Sequence, residues 1–118
     1  MSNLVLDLVE QLNKSRLPCY DWFIHNIVFI LEFNYNIDTG YSACDWSISL
    51  LGLWCPKLYS DTEDLIDQGL LYRTFTGELK ILRRRQSIRY YRIPYQLIKK
   101  SPKAIIDLAF ETYRKLLM

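Results

Sequence analysis

Apolar residues recur at helical spacing in two stretches near the start of the chain. Residues 3 to 13 carry leucine and valine on one face, and Ser2 or Asn3 can cap the free amides at the start of this helix. Residues 21 to 33 are apolar around nearly the whole helical circumference. A helix of that kind is buried on all sides, so the pattern predicts that this segment is the central helix of the fold.

The central helix has one polar stripe, which holds Asp21, His25 and Glu32. Asp21 stands where a residue could cap the helix start. Because residues four apart are neighbours on a helix surface, His25 is expected to pair with Asp21 or Glu32. The three tryptophans of the chain, Trp22, Trp46 and Trp54, lie on or beside apolar segments and are expected to join the core.

The middle of the chain alternates between connections and short elements. Residues 34 to 45 are polar and turn-like, whereas residues 46 to 54 are apolar and fit either a strand or a buried helix. Pro56 stands at a first helical position, and Gly69 supplies a stop. The pattern therefore predicts a short helix over residues 57 to 68.

From residue 70 onward the pattern changes to alternation. Residues 70 to 83, with a Thr-Gly turn at 76 and 77, predict a β-hairpin. Residues 88 to 93 could add a third strand that ends before Pro94. A basic helix over residues 78 to 92 is the competing interpretation, because the leucines there also fit helical spacing.

The chain ends in a helix over residues 102 to 117, which Ser101 caps and Pro102 opens. Its apolar edge is compatible with a homodimer contact. Together the elements predict one α+β, winged-helix-like domain over residues 1 to 118, with three or four helices, a basic hairpin or three-stranded sheet, and a C-terminal helix. The length of 118 residues fits one domain.

A specific stretch of sequence resembles winged helix-turn-helix regulators. It consists of Leu51-Gly52-Leu53-Trp54-Cys55-Pro56, then Leu58-Tyr59, then Leu65-Ile66-Asp67-Gln68-Gly69-Leu70-Leu71-Tyr72. The same residues are more weakly similar to the phage-associated, antitoxin-like Panacea domain, which has glycine where Cys55 stands. The resemblance covers about half of the chain. It implies a non-catalytic regulator and is compatible with an origin in a virus or mobile element.

Charge is distributed unevenly along the sequence. The formal net charge is +2 in total, but residues 1 to 72 sum to −7 and residues 73 to 103 sum to +9. Such asymmetry bears on partners and not on fold. Basic side chains interleaved with tyrosines can neutralise phosphates and stack on bases. The residues predicted to bind nucleic acid are Arg73, Lys80, Arg83, Arg84, Arg85, Arg89, Tyr90 and Arg92.

These features favour a non-enzymatic regulator that binds nucleic acid, with double-stranded DNA as the preferred form, through a basic wing. Its affinity is expected to fall steeply as salt rises. The helix before the wing is acidic, and DNA phosphates would repel it. A protein-interaction module of antitoxin or inhibitor type is therefore the alternative, with Asp61, Asp64 and Asp67 facing the partner.

The three cysteines, Cys19, Cys44 and Cys55, are an odd set without a close pair. Their spacing argues against a disulfide framework and for buried free thiols in a reducing, cytoplasmic compartment, where at most one bridge could form. With one histidine and no close Cys pair, no metal or cofactor is expected. No Gly-rich phosphate loop or nucleophile pair favours an enzyme, and no apolar run favours a membrane span.

Overall fold

The computed structural model describes residues 4–84 and 90–118. These residues form an α+β, winged-helix-like fold, as the sequence predicts, with five helices and two antiparallel two-stranded sheets. In chain order the elements are α1 (Leu4–Lys14), α2 (Asp21–Phe33), β1 (Ser47–Ser49), β2 (Gly52–Trp54), α3 (Pro56–Asp67), β3 (Leu71–Arg73), β4 (Leu79–Ile81), α4 (Tyr95–Ile98) and α5 (Pro102–Leu116). The short helix α4 was not predicted.

Helix α2 is the centre of the fold. Every residue from 23 to 31 is buried, so the prediction of a central helix is confirmed. It packs against α5 on one side and β2 on another, and α1 completes the core. The expected cap is wrong: Tyr20 occupies the N-cap position without a side-chain hydrogen bond, and Asp21 is the first helical residue. Trp22, Trp46 and Trp54 are partly buried at the margin of the core.

The ambiguous stretch at residues 46 to 54 is a β-hairpin that the buried Asn26 fastens to α2. Asn26 Nδ2 donates to the Leu51 carbonyl (2.8 Å), and its Oδ1 accepts from the Leu53 amide (2.9 Å). Between them Gly52 has a φ of +101°, and its backbone passes directly over the Asn26 side chain. A side-chain amide thus supplies hydrogen bonds that a third strand would otherwise give.

Helix α3 begins at Pro56 and is followed by Gly69 at a φ of +74°, which confirms both sequence signals. The wing then follows as β3 and β4, with Tyr72 opposite Lys80. The alternative of a basic helix over residues 78 to 92 is wrong, because β4 occupies its start. Of the predicted third strand, residues 88 and 89 lie outside the described residues, and residues 90 to 93 form no strand.

Two side chains fix the outer elements. Asn13 of α1 donates to the Leu79 carbonyl (3.1 Å) and accepts from the Ile81 amide (3.1 Å), which holds the wing against α1. Ser101 caps α5 by accepting from the Ala104 amide, as predicted. Helix α5 packs its apolar face against α2. The last three residues, Leu116 to Met118, are exposed. Within the described residues no helix is long and apolar enough to cross a membrane.

Candidate interaction surfaces

Arg73, the first of the predicted phosphate contacts, is held inside a cluster of carboxylates. Its Nε and Nη2 donate to the two oxygens of Asp21 at 3.1 and 3.0 Å, and its Nη1 donates to Glu63. The guanidinium also lies 5.4 Å from the centre of the Tyr59 ring. A bidentate pair of this kind is among the stronger protein contacts. Arg73 therefore joins α2, α3 and β3.

Arg84 occupies a second cluster, built on α1. Its Nη2 lies 2.8 Å from Oδ1 of Asp7, which is fully buried, and its Nε lies 3.2 Å from Oε2 of Glu10. The other Asp7 oxygen accepts from the Tyr91 amide (3.0 Å), and Tyr90 Oη donates to Glu10 (3.0 Å). Burial and the Glu10 contact raise the pKa of Tyr90. This cluster anchors residues 84, 90 and 91 to α1.

The other predicted nucleic-acid contacts are not gathered into one ion-pair cluster. Lys80 lies 3.9 Å from Glu78 on the wing. Arg83 is exposed and donates to the Gln68 carbonyl (3.3 Å), and Arg92 is exposed with its guanidinium 5.2 Å from the centre of the Tyr90 ring. Arg85 and Arg89 lie outside the described residues. Among the described cations of the set, Arg83 and Arg92 have no carboxylate partner.

The acidic residues of α3 divide into a paired and an unpaired part. Asp61 accepts from Tyr41 Oη (2.6 Å) and from Lys57 Nζ (2.7 Å). Burial and this contact hold the pKa of Tyr41 well above its usual range, and the same carboxylate raises the pKa of Lys57. Asp64 and Asp67 are exposed and make no ion pair with any described residue. The C-terminal half of α3 thus presents two exposed carboxylates that join none of the described ion pairs.

Two concave surfaces adjoin α3 and share Tyr41 and Lys57. One has a volume of about 350 Å³ and includes Asp64 and Leu65 in its lining, and the other has about 480 Å³ and includes Cys44. Both are therefore walled by α3 on one side and reach the loop before β1 through Tyr41. The first combines an apolar floor with carboxylates, a lining suited to the stem and head of a basic side chain.

Large apolar side chains also reach solvent at the tips of the two hairpins. Leu50 is 96% exposed at the turn between β1 and β2, with Ile48 and Leu51 about half exposed beside it. Phe75 is fully exposed at the wing tip. Exposed apolar groups that lie together are typical of interaction sites.

His25 does not occupy the polar stripe that the sequence indicates. It is fully buried, its Nδ1 accepts from the Cys55 amide (3.0 Å), and its ring stacks on Trp54 at 3.9 Å between ring centres. The predicted pairing with Asp21 or Glu32 is wrong because Asp21 binds Arg73 and Glu32 binds Thr39. Nε2 has no hydrogen-bond partner in the described part of the chain. Burial lowers the pKa of His25 to about 3.

The buried His25 is expected to make the fold sensitive to mild acid. Between pH 6.5 and 3 the unfolded chain binds a proton at His25 and the folded chain does not, so stability falls as pH falls, by up to about 1.4 kcal/mol per pH unit. Urea unfolding at pH 6.5, 6.0 and 5.5 measures this slope. His25 is the only histidine, so His25→Gln should flatten it. An unchanged slope in the variant would assign it to other groups.

Two of the three cysteines depart from the prediction of free thiols. Cys44 and Cys55 form a disulfide bond, and only the expectation of a buried thiol at Cys19 is confirmed. Burial, followed by the charge of Glu78, raises the pKa of Cys19 to about 12. The spacing of 11 residues gave no signal because the bond depends on the loop before β1 folding back onto α3. No group of three metal ligands occurs in the described residues.

Sequence reasoning missed the two buried polar residues that organise the surfaces. Asp7 and Asn26 both interrupt apolar helix faces, and an acid or amide at such a position needs buried partners. That interruption of an apolar face was the signal from which the sequence could have indicated them.

Comparison with protein-family models, curated proteins and solved structures finds no match for this chain.

Proposed function

We propose that this chain is a non-catalytic protein-interaction module of the antitoxin or inhibitor class, and that it docks a basic partner on α3. The observation that carries the proposal is the pair of exposed carboxylates, Asp64 and Asp67, which have no ion-pair partner among the described residues. They lie on the helix before the wing, which is the element that winged-helix proteins insert into a groove. Here the same element is negative.

The ion pairs of the basic segment support a protein partner over DNA. Arg73 and Arg84 each contact two carboxylates. To bind phosphates they would have to leave these carboxylates, and Arg84 would then leave the fully buried Asp7 without a cation, which is strongly destabilising. DNA approaching along the usual path would also meet Asp64 and Asp67 and be repelled. A basic protein surface gains from the same charges through faster association and correct orientation.

Nucleic-acid binding remains the second candidate function. The specific observation in its favour is that Arg83 and Arg92 are exposed without carboxylate partners among the described residues. Such arginines can contact phosphates and release condensed counterions. The contact would then be made beside the wing, with little base reading and with a strong dependence on salt.

Reversing the charge of α3 should separate the two functions. With a lysine-rich decapeptide as the probe, Asp64→Lys/Asp67→Lys is expected to weaken binding by at least tenfold, because two attractive contacts become repulsive. With a duplex DNA probe the same variant should bind equally well or better. Fluorescence anisotropy of labelled probes measures both.

The matched control places the same charge change elsewhere. Asp107 and Glu111 are exposed on α5, each paired with a lysine four residues away, and reversing both adds the same four positive charges. Asp107→Lys/Glu111→Lys should weaken peptide binding far less than the α3 variant does. Equal losses from both variants would mean that net charge, and not α3, governs binding, and the proposal would fail.

A cytoplasmic location also belongs to this proposal. The argument for it came from the cysteines, which suggested a reducing compartment. Cys44 and Cys55 are bonded, so that argument no longer applies to them. The homodimer expected through α5 likewise stays a prediction, with Leu116, Leu117 and Met118 as its exposed residues.

A further inference from the structure

Cys44 is the accessible half of the disulfide bond. The residue is partly exposed and lines the cavity of about 480 Å³ beside α3, whereas Cys55 is fully buried. Thiol–disulfide exchange begins when a thiolate reaches one of the two sulfurs, so its rate depends on access. We therefore expect an external thiol to attack Cys44 Sγ rather than Cys55 Sγ.

The Sγ atom of Cys55 is well placed to be the leaving group when the disulfide bond breaks. Its Sγ accepts from the Leu58 amide (3.4 Å) at the start of α3, where the helix dipole favours negative charge. Its backbone is held on both sides, because its amide donates to His25 Nδ1 (3.0 Å) and its carbonyl accepts from the Tyr59 amide (3.1 Å). Negative charge that develops on Cys55 Sγ as the bond breaks is stabilised in a fixed position, which favours departure.

We propose that Cys44 is a thiol-exchange site for a low-molecular-weight thiol of the glutathione class, and that exchange releases the start of α3 from the loop over residues 40 to 46. The attacking thiolate forms a sulfur–sulfur bond to Cys44 Sγ as the Cys44–Cys55 bond breaks, and the electron pair passes to Cys55 Sγ. A second thiol then attacks the reductant's sulfur in the mixed disulfide. Two protein thiols and one oxidised thiol dimer result.

The surroundings of Cys44 suit a small thiol. Lys57 and Asp45 line the same cavity with opposite charges, and Lys57 is also paired with Asp61 (2.7 Å), so access and not charge governs which thiol can enter. Tyr41 and Pro56 also line this cavity, and its volume of about 480 Å³ lies in the range that holds a small molecule. A reductant protein would have to bring its thiolate into this recess.

Reduction would leave the loop and α3 joined by weaker contacts. Among the described residues, the hydrogen bond from Tyr41 to Asp61 also ties the loop to α3. If the loop over residues 40 to 46 loosens from α3, the surface beside Asp64 should change. Docking of the partner should change with it. That consequence rests on the proposed function, whereas the exchange chemistry does not, so the two can fail separately.

The first test maps the exchange on the intact wild-type protein. The folded chain is incubated with mixtures of reduced and oxidised glutathione, quenched with acid, alkylated, and digested for mass spectrometry. The expected product carries glutathione on Cys44 and the alkylating agent on Cys55. Cys19 is the internal control, because its buried thiol should carry the alkylating agent after the quench but no glutathione. Glutathione attached mainly to Cys55 would overturn the proposal.

Single-cysteine variants provide the second measurement. In Cys55→Ser the remaining Cys44 should react with oxidised glutathione at least tenfold faster than Cys55 reacts in Cys44→Ser. If either variant fails to fold, the urea dependence of the exchange rate in wild-type protein tests the proposal instead. A rate that rises with urea in parallel with global unfolding would contradict exchange in the folded state, and a rate independent of low urea concentrations would support it.

Discussion

Replacing Gly52 by alanine is expected to lower the free energy of unfolding by about 4 kcal/mol, the largest single effect predicted for this chain. A Cβ at Gly52 would lie 2.0 Å from Asn26 Oδ1, and the φ of +101° is unfavourable for any residue with a side chain. Asn26 would have to move, which breaks its bonds to Leu51 and Leu53. Urea unfolding monitored by tryptophan fluorescence measures the change.

The control for Gly52 separates backbone strain from the clash. Gly40 and Gly77 also have positive φ, but an added Cβ meets nothing within 4 Å at either position. Gly40→Ala and Gly77→Ala should therefore lose only about 1 kcal/mol, the cost of the unfavourable φ. If Gly52→Ala lost no more than these two, the contact with Asn26 would not be what fixes the first hairpin.

Replacing Asp7 by alanine is expected to cost about 3 kcal/mol, because it removes the buried acceptor that two groups share. Arg84 loses its contact to Asp7, and the Tyr91 amide loses its hydrogen-bond acceptor. The segments on either side of residues 85 to 89 should both loosen from α1. Hydrogen exchange at the Tyr91 amide should accelerate together with the loss of stability in urea.

A surface pair provides the comparison for Asp7. Asp107 is paired with Lys103 at 3.0 Å, but both side chains are mostly exposed. Exposed pairs of this kind contribute about 0–1 kcal/mol, so Asp107→Ala should have little effect on stability. Equal losses from the two variants would show that the ion pairs of Arg84 do not stabilise the fold.

Hydrophobic periodicity predicted the long helices because the residues that form each buried face lie close together in the sequence. Helix α2 matches its predicted bounds, and α3 and α5 begin at the prolines that the sequence marks. The hairpin at residues 46 to 54 could not be distinguished from a helix, because its strands are three residues long and its bonding depends on Asn26, about 25 residues earlier. Long-range side-chain bonds leave no periodic signal.

The candidate surface was harder to predict because sequence reports which charges exist and not which of them meet. Arg73 pairs with Asp21, 52 residues away, and Arg84 with Asp7, 77 residues away. The lopsided charge distribution is therefore partly cancelled within the fold. The acidic character of α3 could be predicted, since its residues are consecutive and its helical spacing separates exposed Asp64 and Asp67 from buried Leu65.

The central claim is that ion pairs within the fold use much of the positive charge of the predicted nucleic-acid contacts. The salt dependence of DNA binding tests it most directly. The logarithm of the affinity falls with that of the salt concentration by about 0.9 per neutralised phosphate. Because Arg73, Lys80 and Arg84 have carboxylate partners, no more than four cations of the predicted set remain. For wild-type protein and a labelled duplex we expect a slope no steeper than about −4. A slope near −6 would mean that more phosphates are neutralised than these four cations can contact, and it would contradict this account.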